Sequence, residues 1–153
     1  MEATHMIGTI TTPSRAKAMQ GWGDANEANS SPPLGSLEQW QIDAIKRIIS
    51  LTMLPNGWDG HGGPPPTEKV AGWAIQLIAT TELYSLTPPE FSPESGGALQ
   101  ITWWSGFQRE LEFHILNSGI IEVLRVDGNQ MLEGQFSMKD RERLQTEMNW
   151  LRR

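Results

Sequence analysis

Leu99-Gln100-Ile101-Thr102-Trp103-Trp104-Ser105-Gly106, followed by Glu110-Leu111-Glu112-Phe113-His114-Ile115, decides the fold. Apolar side chains recur at every second position in both runs. Leu99, Ile101 and Trp103 share one face, and Leu111, Phe113 and Ile115 share another. A period of two over this length predicts half-buried strands. Ser105-Gly106 between them, then Asn117-Ser118-Gly119 and Asp127-Gly128-Asn129 further on, are turn signals. They predict two more strands, Ile120 to Val126 and a short edge strand from Met131 to Phe136, with Gly134 as its weak point. Consecutive strands with short connections read as an antiparallel meander of three to four strands. Phe91 to Gly97 reads as a turn-rich approach to it.

The residues before the strands change period. Leu37, Trp40, Ala44, Ile45, Ile48 and Ile49 fall on one helical stripe. Ser36 and Gln39 make a capping box at its start, and Pro55 stops it near Met53. Val70, Trp73, Ala74, Leu77, Ile78 and Thr81 form a second stripe, capped by Thr67 and fading near Ser85. After the strands, Leu144, Met148 and Leu151 mark a last helix predicted to start at Ser137, with Asp140 in its first turn and Arg152 and Arg153 at its C-terminal end. The expected fold is therefore α+β: two N-terminal helices packed on the meander, with a C-terminal helix. Residues 1–35 lack a sustained apolar period and are rich in Thr, Ser, Ala, Asn, Gly and Pro. They are expected to form a flexible N-terminal tail, leaving 36–153 as a single α+β domain.

Between the first two helices lies Leu54-Pro55-Asn56-Gly57-Trp58-Asp59-Gly60-His61-Gly62-Gly63-Pro64-Pro65-Pro66. Gly57, Trp58, Asp59 and Gly60 are read as a structural loop, with Trp58 dropping into the core and Asp59 closing an Asx-turn on its own backbone. This run, the helix after it, Pro93-x-x-Gly96-Gly97 and the strand bearing Trp103 resemble a loose group of small bacterial and phage-associated proteins with a Gly-Trp-Asp-Gly-x-Gly loop. The similarity spans about residues 37–126. It implies the same domain and a mobile-element or phage setting, and it carries over no catalytic residue. At His61 the group usually has Tyr, which implies a position that packs an aromatic ring.

Composition narrows the chemistry. The 153 residues include no cysteine, which excludes thiol catalysis, disulfides and Cys-zinc sites. The absence of a long apolar run and of an N-terminal apolar segment predicts a cytoplasmic protein without membrane partners. The net charge is −6. Residues 1–36 hold −1 and residues 137–153 hold +2, so residues 37–136 hold −7. An acidic body disfavours nucleic acid and suits a basic protein surface. No phosphate-binding or nucleophile-elbow motif is present. Glu110, Glu112 and His114 share one strand face, where pairing of the glutamates with Arg109 or Arg125 is expected in place of a metal site. No catalytic residue, metal or cofactor is assigned.

Seven tryptophans stand out. Trp40, Trp58, Trp73 and Trp103 have core placements. Trp22, Trp104 and Trp150 fall outside the core stripes and are assigned to partner binding, against a covering role in which the C-terminal helix lies over Trp104. The reading that follows is a non-enzymatic protein-binding module: a regulator, inhibitor or accessory subunit. Two alternatives accompany it. One is a small metal-dependent hydrolase using Asp59, His61 and His114. The other is a homodimer joined through the edge strand.

Overall fold

The computed structural model describes residues 37–82, 86–106 and 108–153. The tail expected over 1–35, with Trp22, lies outside the described residues, as do Ser36 and Ser85. The described elements are helices α1 (Gln39–Thr52) and α2 (Glu68–Thr80), strands β1 (Glu90–Glu94), β2 (Ala98–Ser105), β3 (Arg109–Ile115), β4 (Ile120–Asp127) and β5 (Gln130–Ser137), and helix α3 (Arg141–Arg152). The strands form one antiparallel sheet in the order β1-β2-β3-β4-β5. The α+β architecture with a meander is thus as expected, with one strand more than the three to four predicted. Glu90–Glu94 is that strand, not a turn-rich approach. Pro93 hid it, because proline is tolerated where a strand lies at a sheet edge.

Alternation fixes which side of the sheet meets the helices. Leu99, Ile101, Trp103, Leu111, Phe113, Ile115 and Ile121 have no solvent exposure. They join Ala44, Ile48 and Leu51 of α1, Val70, Ala74 and Leu77 of α2, and Met148 and Leu151 of α3 in one core. The rings at its centre meet edge to face: Trp103 on Phe113 at 5.3 Å and Phe113 on Phe136 at 5.8 Å. Such pairs add about 0.5–1.5 kcal/mol beyond the area they bury. Trp40 and Trp73 pack partly buried against this core. Ile49 does not: it is 45% exposed, at the margin of its stripe.

Both helix starts placed at serines are shifted. α1 begins at Gln39, where the Glu38 amide donates to Gln41 Oε1 at 2.7 Å. The amide of Gln41, itself buried, donates from Nε2 to the carbonyls of Ile78 (2.9 Å), Ala79 (3.3 Å) and Thr81 (3.2 Å). One side chain thereby caps the start of α1 and donates to carbonyls at the end of α2, of which that of Ile78 also accepts from the Thr81 amide. α3 begins at Arg141, not Ser137. Asp140 is its N-cap and accepts from the Arg143 amide at 2.9 Å, while Ser137 still pairs in β5.

α3 is held to the sheet by charge as well as by packing. Glu147 is fully buried; Arg125 Nε of β4 donates to its Oε2 at 2.5 Å. Arg143 Nε lies 2.8 Å from its Oε1, an ionic contact off the hydrogen-bond axis. A carboxylate removed from water is tolerated only when paired this way.

Two stability measurements check these ties. Gln41→Ala should lower the unfolding free energy in urea by about 2 kcal/mol, because it takes the side-chain donor from the buried Thr81 carbonyl. Glu147→Ala should cost about 3 kcal/mol, because it leaves the partly buried Arg125 guanidinium without its carboxylate and empties a fully buried position. Unchanged midpoints in either variant would refute the corresponding tie.

Candidate functional site

The loop joining the helices is built around one carboxylate. Asp59 Oδ1 accepts from the amides of His61 and Gly63, both at 2.9 Å. These two donors, the His61 amide first, hold the Asp59 carboxyl below its ordinary range. Gly57 N–H donates to the Gly63 carbonyl at 2.8 Å and closes the loop. A Cβ at Gly63 would stand 2.3 Å from Asp59 Oδ2, so the close approach admits only glycine. Trp58 does not reach the core. It is half-buried, outside the core cluster, and its indole donates to the Pro64 carbonyl at 2.9 Å. The loop is wound too tightly by its own backbone for the ring to be carried inward. His61 is exposed, so the position packs no ring.

Across the sheet, residues of even number in β1 to β4, with Met131, Glu133 and Gln135 of β5, occupy the face away from the helices. Register sets them in transverse rows. Trp104, Glu110, Val126 and Met131 form one row, and Glu90, Thr102, Glu112, Leu124 and Glu133 the next. Ser92, Gln100, His114, Glu122 and Gln135 form a third, with Glu94 opposite Ala98 beyond it. Six glutamates, at 90, 94, 110, 112, 122 and 133, therefore share this face with no lysine or arginine. Trp104, Leu124 and Val126 stand outside the core cluster, and Met131 is 66% exposed.

The expected pairing of Glu110 and Glu112 with Arg109 or Arg125 does not occur. Both arginines sit at the opposite parity. Arg109 pairs with Asp127 at 3.0 Å, and Arg125 with Glu147. The one basic group on the glutamate face is His114, whose Nδ1 lies 2.8 Å from Glu94 and Nε2 3.1 Å from Glu112. The Glu94 contact, opposed by partial burial and helped by Glu112, raises the imidazole above its ordinary value. Burial first, and then Glu112 beside it, pushes the Glu110 carboxyl up.

The remaining sites separate cleanly. Trp104 is on the glutamate face, so α3 does not lie over it; α3 covers the Trp103 side. Trp150 is half-buried against the core, flanked by the guanidinium groups of Arg109 at 5.7 Å and Arg125 at 5.1 Å. It belongs to the anchorage of α3. Asp59, His61 and His114 do line one open depression of about 520 Å³, together with Trp58, Glu94 and Glu122. They are not disposed as a reacting set, since Asp59 is turned to its own backbone and both His114 nitrogens are engaged. Among the described residues no group of three or more acidic or histidine side chains is arranged to hold a metal ion, and no helix is long and apolar enough to cross a membrane. The chain matches no family model, no curated protein and no solved structure.

His114 binds its proton more tightly folded than unfolded. Its stabilisation is therefore complete below 6.5, the ordinary value, and is lost as pH rises through the higher folded value. Thermal melts across pH should show the wild-type advantage over His114→Asn greatest on the acid side and vanishing on the alkaline side. An advantage independent of pH would refute the clamp.

Proposed function

We propose that this chain is a non-enzymatic protein-binding module that engages a cationic partner surface through the glutamate face of its sheet. The observation that carries this reading is the composition of that face. Six glutamates without a lysine or arginine share it with the apolar residues Trp104, Leu124, Val126 and Met131. A large aromatic anchor set among charges of one sign is the pattern of an interaction hot spot with electrostatic steering. A regulator, inhibitor or accessory subunit is the concrete form. The bacterial or phage setting rests on the loop resemblance alone.

The hydrolase reading has the shared depression of Asp59, His61 and His114 in its favour. Metal analysis of tag-free protein separates it from the binding reading: a stoichiometric ion lost on Asp59→Asn would favour the hydrolase.

The binding reading is tested by affinity purification from native cells with Glu122→Lys/Glu133→Lys and, separately, Trp104→Ala. Both glutamates are exposed, so the fold should survive reversal. Recovery of the co-purifying protein should fall about tenfold or more with either variant, since a hot-spot side chain contributes at least 1.4 kcal/mol. Binding should also weaken with salt. Undiminished recovery from both variants would overturn the reading.

A further inference from the structure

The sheet has two edges, and only one is protected. β1 is five residues long, carries Pro93, which has no amide proton to offer, and bears a glutamate at each end. Short length, proline and charge are the devices that keep an edge from pairing with another strand. β5 at the other edge is eight residues long and contains no proline or lysine, with Glu133 as its one charge. Met131 is 66% and Leu132 58% exposed there. Among the described residues, no backbone hydrogen bond joins residues 130–136 to anything but β4. An antiparallel edge strand directs alternate N–H and C=O groups outward, so among the described residues β5 offers a row of donors and acceptors without backbone partners.

We propose that β5 pairs antiparallel with β5 of a second copy about a two-fold axis at Leu132. Directly opposed residues must lie on the same face, which limits the axis to a residue position. An axis at Glu133 would set two carboxylates face to face, a destabilising pair. An axis at Leu132 places the two Leu132 side chains together, Met131 opposite Glu133 of the second copy, and Gln130 opposite Gly134. The unguarded edge is thus complementary to itself. The guarded β1 edges remain outside, so pairing closes at two copies instead of continuing into a fibre. A two-fold perpendicular to the sheet keeps faces aligned, so both glutamate faces lie on one side of a ten-stranded sheet. The pairing stands independently of any partner on that face.

Light scattering on the full chain across a concentration series should give twice the chain mass, falling to the single-chain mass in Leu132→Lys. Circular dichroism should show that variant folded, because the position is exposed. The described chain has no cysteine, so Leu132→Cys should form a disulfide-linked dimer on mild oxidation, and Ser92→Cys on β1 should not. Single-chain mass at every concentration would overturn the proposal. So would a dimer untouched by Leu132→Lys, or cross-linking at Ser92→Cys in preference to Leu132→Cys. Each readout is made on purified protein alone, so its failure is distinct from failure to recover a partner.

Discussion

Burial of one side of the sheet constrains everything else in this molecule. Trp103, Phe113 and Phe136 meet edge to face at the centre of the core, and each belongs to a strand whose neighbouring residues must then point the other way. Sliding β3 by one residue would turn Glu110, Glu112 and His114 toward the helices. The cost of burying two carboxylates without donors far exceeds what the helices gain elsewhere, so the register is held by what it keeps out as much as by what it packs.

The same constraint sorts charge between the two sides. Arg109 and Arg125 lie on the helix side, where Asp127 and the buried Glu147 neutralise them and the Trp150 ring packs against both guanidinium groups. The cations of the central strands are thereby consumed in anchoring α3. What remains for the other side is glutamate, with only His114 between Glu94 and Glu112 to offset it. The acidity of that face is a consequence of where the arginines are needed. It is also why burial and like charge raise the Glu110 carboxyl.

The core could be read from the sequence because periodicity is a local property: Leu99, Ile101, Trp103, Leu111, Phe113 and Ile115 declare their side by spacing alone. The parity of Arg109 and Arg125 against Glu110 and Glu112 was equally legible, and it excludes the cross-strand pairs expected from sign alone. Contacts between distant segments were not legible. Nothing near Gln41 announces that its amide ends α2, 37 residues away, and nothing near Glu147 announces Arg125. Trp58 misled because an aromatic between glycines has two uses: filling a core, or, as here, bracing its own loop through the Pro64 carbonyl. At the site, the Asx-turn at Asp59 followed from local chemistry. The glutamate rows required a register that only the folded sheet supplies.

The charge of the open face decides how its apolar group can be covered. A half-buried tryptophan beside leucine, valine and an exposed methionine would ordinarily invite a second copy to stack on it. Here stacking would press six glutamates against six more. At that separation, well inside the roughly 8 Å over which physiological salt screens charge, like charges oppose contact. Stacking of two copies through this face is thus opposed, whereas the β5 edge carries Glu133 as its one charge. A cover for Trp104 that carries positive charge would meet no such opposition. The glutamates that share this face with the apolar group oppose a second acidic surface and favour one of the opposite sign.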